Sequence, residues 1–352
     1  MQTREWVMTY ARVGSDPIGR FPPGPYLRRR HACRTGRSRA AFPRPAFADV
    51  AVVERGPSSP MPDPHVTIVI RCFNEAWALA DTLAAVHAQE FTNWELIAID
   101  SGSTDGSVDL LRSARPSKFV QLLPHDYRPG RVLNQGMELA ATDRVVFLNA
   151  DATPQGSGWL RPLVEALDDP DTAAVFGRQI PRPDCAAVFA ADYDRCFGPR
   201  SESGRWDHFF SMVSSGLRKD IWARRGFLEA MQYSEDDEYT RWARRHGYRV
   251  AYCPDSVVVH SHNYTERQAY KRSFGEAWAL AAVWTHDPKR FTHPVRLAGG
   301  WLNDLRRDLQ FCRRTGLLRE WPHAARIRLQ QRLGRRDGFK TGWSMHGGEL
   351  AH

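Results

Sequence analysis

From residue 65 to residue 150 the chain alternates short apolar runs with stretches of helical period. Val66-Thr67-Ile68-Val69-Ile70, Glu95-Leu96-Ile97-Ala98-Ile99-Asp100, Phe119-Val120-Gln121-Leu122-Leu123 and Val145-Val146-Phe147-Leu148 each have the length and β-branched content of a buried strand. Between them, Leu79, Leu83 and Val86 share one face of a helix running to about Ala88. A second helix passes through Leu110 and Leu111, and a third covers 131–141. Strands and helices alternating at this spacing predict a parallel, Rossmann-like sheet. Polar residues follow three of the strands: Asn74-Glu75, then Asp100 with the small hydroxyl residues and acid of 101–105, then Asn149-Ala150-Asp151. Ligands of open α/β sheets bind beyond the carboxyl ends of the strands, so the three clusters predict one crevice. Asp151 stands where a carboxylate can hold a hard cation against a phosphate, and Pro154 is expected to stop the strand.

Beyond 158 the pattern changes. A helix over 159–167 and a strand over 173–177 are followed by an irregular, Pro- and aromatic-rich segment, 181–212, and a short helix ending near Gly226. Glu235-Asp236-Asp237-Glu238 opens a helix that stops at Gly247. Four acids there complement the helix dipole, which would by itself account for them. Two short strands, 250–252 and 257–259, lead into His260-Ser261-His262, whose alternating imidazoles point the same way on extended backbone. The rest reads as helical, over 268–284, 294–314 and 320–334. Trp301, Leu302, Leu305 and Leu309 form one face of the middle helix, with Arg306, Arg307, Arg313 and Arg314 elsewhere. Such a helix either packs on the domain or lies on an anionic membrane surface.

Charge sharpens this division. The 352 residues carry a net charge of +9, but 1–60 hold 11 Arg against 4 acids and 295–352 hold 12 Arg or Lys against 5 acids. The segment between is therefore acidic, which argues against a nucleic-acid partner. Residues 1–64, rich in Pro and Arg with weak periodicity, are expected to be a disordered extension. Residues 65–285 are expected to form the folded α/β domain, with a change of character near 155, and 286–352 a basic helical extension. The six cysteines are scattered with no C-x-x-C pair, which suits a reducing compartment. No apolar run approaches the ~20 residues of a membrane span, and no secretory signal opens the chain. The expected location is cytoplasmic, with peripheral contact at the inner face of the membrane. No G-x-G-x-x-G follows the first strand, and no Walker lysine is present.

With these residues in view, the chain over about 66–285 resembles the family 2 glycosyltransferases, which have the GT-A fold. Val66 to Glu75 looks like that family's opening strand and Asn-Glu turn. Ile99-Asp100-Ser101-Gly102-Ser103-Thr104-Asp105-Gly106 resembles its V-D-x-G-S-T-D-G loop, and Gly130-Arg131-Val132-Leu133-Asn134-Gln135-Gly136 its arginine–asparagine helix. Asn149-Ala150-Asp151 occupies the place of Asp-x-Asp, and Glu235-Asp236 that of the Glu-Asp motif before the acceptor-side helix. Gly177 to Pro183 and His260 to Tyr264 are similar to a branch of the family named for rhamnosyl transfer. Two positions depart from the pattern. Asn149 replaces the first acid of Asp-x-Asp, and Ser101 stands where many uridine-specific relatives have a second Asp, which leaves room for a dTDP- or GDP-sugar. No Q-x-x-R-W motif follows the Glu-Asp pair, unlike processive polysaccharide synthases.

The resemblance implies inverting transfer from a nucleotide-diphosphate sugar to a glycan or glycolipid hydroxyl, in cell-surface glycan, polysaccharide or glycolipid synthesis. A catalytically inactive nucleotide-sugar-binding relative is the alternative. Phe73, Asn74, Glu75, Asp100, Ser101, Ser103, Asp105, Arg131, Asn134, Asn149 and Ala150 are the implied donor contacts. Asp151 with His260 or His262 would hold a divalent cation, Mg2+ or Mn2+, that neutralises the departing diphosphate. Asp236 is the expected general base and Glu235 its neighbour and orienting group.

Overall fold

The computed structural model describes residues 51–54, 65–206, 209–283 and 292–346. One sheet of nine strands runs through it, in the order β1-β4-β3-β2-β5-β8-β7-β9-β6. Its first half is parallel, as the alternating pattern predicts. β2 (Val66–Cys72) lies between β3 (Trp94–Asp100) and β5 (Arg144–Asn149), and β4 (Lys118–Gln121) pairs with β3. β1 (Ala51–Glu54) adds an antiparallel edge on β4. These four residues belong to the extension expected to be disordered and are instead paired; 1–50 and 55–64 lie outside the described residues.

Strand side chains alternate between faces, so one strand feeds two cores. Ile68 and Ile70 pack with Leu79 and Leu83 of α1 (Ala76–His87), Leu111 of α2 (Ser107–Ser113) and Leu163 of α4 (Leu160–Ala166). Val69 and Phe147 pack on the opposite face with Val132, Leu133 and Met137 of α3 (Pro129–Leu139). Because helices cover both faces, the central strands are apolar throughout rather than alternating.

The second half of the sheet is mixed and departs from the sequence reading in four places. β8 (Ser214–Arg218) was not anticipated: in Ser-Ser-Gly-Leu-Arg only Leu217 is a large aliphatic residue. It is antiparallel to both β5 and β7 (Thr172–Ile180), and a Cβ on Gly216 would meet Leu167 at 2.8 Å, so small residues are what this central position requires. α5 (Ala187–Phe197) occupies much of the segment expected to be irregular, burying Val188, Phe189, Cys196 and Phe197. The two short strands around 254 are one, β9 (Arg249–Val259), parallel to β7 with a register shift between Gly177 and Arg178 that accommodates Pro254. Pro154 does not remove the chain from the sheet. β6 (Thr153–Pro154) pairs antiparallel with Val258 and Val259 at the sheet edge, where a missing N–H is tolerated.

Two short helices, α6 (Lys219–Trp222) and α7 (Glu235–Arg245), complete the second half. A helical layer then follows, α8 (Glu266–Val283), α9 (Pro294–Thr315) and α10 (Trp321–His346), the last well beyond the expected end at 334. α10 lies against α8 through Gly334, Gly338 and Gly342, where any Cβ would collide with the carbonyl oxygens of Tyr270, Phe274 and Trp278. Buried Arg328 of α10 joins Asp308 of α9 to Asp192 and the Val188 carbonyl of α5, so the layer is tied to the sheet-bearing part of the chain. No helix among the described residues is long and apolar enough to cross a membrane.

Candidate active site

The turns after β2 and β3 are stitched together. Asn74 N–H donates to Ser103 Oγ (2.8 Å), Thr104 N–H to Asn74 Oδ1 (2.8 Å), Glu75 N–H to Ser107 Oγ (3.0 Å) and Ala76 N–H to Asp105 Oδ2 (3.0 Å). Asn74 reaches this geometry with a left-handed backbone, φ 55°, which Asn adopts more readily than most side chains. Asn74 and Ser103 thus join the two turns directly, and Asp105 joins them by holding Ala76 N–H and Ser107. Asp100 is fully buried. Its Oδ2 accepts from Gly102 and Ser103 N–H, while Oδ1 is buried with no hydrogen-bond partner among the described residues. Ser101 is buried beside it, its N–H donating to the Cys72 carbonyl. Phe73 and Glu75 stand half-buried at the strand end. Burial holds the Glu75 carboxyl well above the usual range, and the charge of Asp151 raises it further.

Asp151 meets both histidines. Its Oδ2 lies 3.6 Å from His260 Nε2 and 3.6 Å from His262 Nε2, and the three donor atoms fall within 4.8 Å of one another. The separations exceed a hydrogen bond. Both carboxylate oxygens of Asp151 and Nε2 of His260 are buried with no partner among the described residues. Each unmet polar atom costs roughly 1–3 kcal/mol, and a cation between them satisfies all three. Burial pushes His260 down to about 3 and His262 down to about 4, so both imidazoles are neutral and carry lone pairs at neutral pH. The donor set therefore fits a divalent ion. Arg182 adds fixed positive charge: its guanidinium donates to the Asp151 carbonyl and to Ser261 O (2.6 Å), and lies 4.6 Å over the exposed ring of Trp77.

Asn149 turns away from this cluster. Its Oδ1 accepts from Arg71 Nη2 (2.7 Å), which also donates to the Met212 carbonyl (3.0 Å). Arg71 and nearby backbone N–H groups help to hold the Asp236 carboxyl down against the burial that raises it. Asp236 Oδ1 also accepts the Asp237 N–H at 2.9 Å. Glu235 is pushed up to about 8 by burial and by the charge of Asp236. Two adjacent carboxyls thus sit in different environments: burial raises Asp236 while Arg71 and backbone N–H groups oppose the rise, and Glu235, pushed up to about 8, holds its proton at neutral pH. Ser234, just before them, has a left-handed backbone, φ 59°, and a strained non-glycine residue at this place is a cost the fold bears where it aims the two acids.

Two residues expected to contact the donor do not have the atoms to do so. Asn134 fills all four of its hydrogen bonds within the protein: Oδ1 accepts from Phe227 N–H and Trp222 Nε1, and Nδ2 donates to Phe227 O and Glu229 Oε1. It pins α3 to the 226–229 loop. Ala150 buries its methyl in the core and gives its N–H to the Arg71 carbonyl. Arg131 is half-buried in the first turn of α3. Four residues of the site, Arg71, Gln179, Arg182 and Arg272, were not singled out from sequence. Arg71 and Gln179 sit within strands, where their neighbours depend on register. Arg272 on α8 donates to Tyr264 OH (3.1 Å) and contributes positive charge near His260 and Glu235.

A sheet parallel in one half and mixed in the other, its ligand edge shared between the β2–β3 crevice and the acid-headed α7, is the GT-A arrangement of glycosyltransferases. The mannosyltransferase PcManGT of Pyrobaculum calidifontis, solved in complex with GDP-Man and Mn2+, shares the fold, with a TM-score of 0.50 over 74% of each chain at 20% identity. The glycosyl transferase family 2 model matches residues 67–225, ending short of α7. The chain is 31% identical to the O-antigen chain rhamnosyltransferase RfbN of Salmonella typhimurium over 222 residues, 59% of this chain and 70% of that protein. It is 29% identical to the O-antigen chain rhamnosyltransferase WbaN of Salmonella anatum over 225 residues, 60% of this chain and 70% of that protein. The chain belongs to glycosyl transferase family 2, and it is a glycosyltransferase.

Proposed function

We propose that the enzyme transfers a sugar, with inversion, from a nucleotide-diphosphate sugar to a hydroxyl of a cell-surface glycan or glycolipid. The observation that carries this reading is Arg71, which bonds Asn149 and the Met212 carbonyl and places its charge near Asp236, tying the Asn149-Ala150-Asp151 turn to the acid pair of α7. Oδ1 of Asp100 and the half-buried Phe73 and Glu75 receive the nucleoside. Arg182 meets the diphosphate. Asp151, His260 and His262 would hold a divalent ion, which would supply Lewis-acid neutralisation of the leaving group. Asp236 takes the proton of the acceptor hydroxyl as that oxygen attacks the anomeric carbon from the face opposite the diphosphate. Glu235, protonated, donates a hydrogen bond without competing for that proton. The names of the two relatives favour a 6-deoxyhexose as the transferred sugar, and the ligands of PcManGT support a sugar nucleotide with a metal ion.

The acceptor side extends this reading to the membrane. Both acids of α9 turn inward, Asp304 onto Arg332 and Asp308 onto Arg328. Its outward face carries Val295, Leu302, Arg306, Arg307 and Arg313, a surface suited to anionic lipid headgroups around a lipid-linked acceptor.

The test is a thermal-shift screen of UDP-, dTDP- and GDP-sugars with Mn2+ or Mg2+, followed by assay of Asp236→Asn. One nucleotide class should raise the melting temperature in a metal-dependent way. Asp236→Asn should keep that shift and lose transfer by at least about a hundredfold. No shift with any sugar nucleotide would sink the donor assignment, and wild-type turnover in Asp236→Asn would remove Asp236 as base.

A further inference from the structure

The arrangement around Asp151 is poor in oxygen. In an Asp-x-Asp site both acids offer hard oxygen donors. Here the side-chain oxygen of Asn149 is occupied by Arg71 at 2.7 Å, which leaves one carboxylate and two imidazoles. Mg2+ takes oxygen ligands in near-ideal octahedral geometry and gives up water reluctantly, whereas imidazole suits transition ions.

His260 is also oriented from behind. Its Nδ1 lies 2.9 Å from Gln179 Oε1, and Gln179 Nε2 donates to Ser211 Oγ at 2.8 Å. Gln179 Oε1, closer to Nδ1 than the Tyr193 hydroxyl at 3.3 Å, accepts the Nδ1–H in this arrangement, which leaves the lone pair on Nε2, the buried atom beside Asp151. Gln179 is itself buried and sits on β7 opposite Val258, two residues before His260. The parallel pairing of β7 and β9 therefore delivers the orienting amide and the ligand together.

We infer that the site binds its ion through both imidazoles as well as Asp151, that it therefore selects a transition ion such as Mn2+ or Co2+ over Mg2+, and that Gln179 is a positioning residue for this selectivity. The inference rests on reading Asp151 as the cation ligand of the donor site.

The experiment uses the full chain, stripped with chelator and without nucleotide sugar. Mn2+ is titrated while the signal of free Mn2+ is followed by electron paramagnetic resonance, with Mg2+ as competitor; melting curves in chelator establish that each variant is folded. The wild type should prefer Mn2+ by about tenfold or more. His262→Asp, at a partly exposed position, replaces nitrogen by oxygen and should bring the two ions toward parity. Gln179→Leu should weaken Mn2+ by about 10–100-fold with a smaller effect on Mg2+, and Gln179→Glu, which keeps an acceptor for Nδ1–H, should restore the preference. Equal affinity for Mg2+ and Mn2+ in the wild type, or a preference unmoved by both His262→Asp and Gln179→Leu, overturns the inference and leaves the Asp151 site standing. Ion binding that survives Asp151→Asn overturns the site itself.

Discussion

At the scale of single residues, the site assigns charge by pairing and burial. Asn149 is informative because it is neutral: it orients Arg71 without cancelling its charge, so that charge remains for Asp236 and the other acids of the cleft. Glu235 carries a pH prediction. Its folded value, about 8, lies above the ordinary 4.5 of a free glutamate. Between those values the folded protein holds a proton that the unfolded chain has released, so stability falls as pH rises across this window. Below about 4.5 the contribution is fully present, and above about 8 it is lost. Melting curves of Glu235→Gln from pH 5 to 9 should therefore decline less steeply than those of the wild type, and parallel curves would show that Glu235 ionises normally. Much of this was legible in the sequence: Asp151 at a strand end, two alternating histidines, an acid pair at a helix start. Arg182 and Gln179 were not, because their roles depend on how β7 pairs with β9, and a chain does not state its register in composition. Asn134 shows the converse. Its motif was visible, but the partners that consume its amide, Trp222, Phe227 and Glu229, lie almost a hundred residues away.

At the scale of elements, the contact between α8 and α10 sets the most demanding packing in the chain. Glycines at a spacing of four, 334, 338 and 342, face Tyr270, Phe274 and Trp278 at the same spacing, and the two backbones come into direct apposition. Phe339, beside this seam, is buried with Ala277 and Ala281. Gly338→Leu must separate the helices, at a cost of about 1–3 kcal/mol or more. The expected result is a melting temperature lower by several degrees, together with faster proteolysis of α10. A melting temperature equal to wild type would mean that α10 does not dock on α8 as described. The sequence showed that helices stand here but not that they touch, since glycine within a helix reads as a weakness until its partner is known. The same limit hid β8 and α5. Ser-Ser-Gly-Leu-Arg lacks the apolar run that marks a strand, and at Gly216 Leu167 and Val175 leave no room for a side chain, while α5 lies amid prolines and aromatic residues that mask its period.

At the scale of the whole molecule, the charge is segregated, and the fold makes the segregation directional. The basic helices at the C-terminal end could have neutralised themselves, yet α9 points Asp304 and Asp308 at Arg332 and Arg328 and leaves Arg306, Arg307 and Arg313 outside with Leu302. Arginine near an anionic bilayer contributes about 1 kcal/mol per charge, an attraction screened by salt within a Debye length of about 10 Å at 0.1 M. In the docking proposed above, exposed Leu302 and Val295 enter the headgroup region while the arginines hold phosphate. In flotation assays the enzyme should therefore rise with vesicles containing phosphatidylglycerol and remain behind with phosphatidylcholine alone, and raised salt should release it. Arg306→Glu with Arg313→Glu exchanges attraction for repulsion at two exposed positions and should lower vesicle affinity by about tenfold or more, while transfer to a short water-soluble acceptor keeps its rate, because neither residue belongs to the site around Asp151. Equal recovery of wild type and variant with anionic vesicles would show that α9 is not the docking face, and flotation with neutral vesicles would show that charge does not drive the contact.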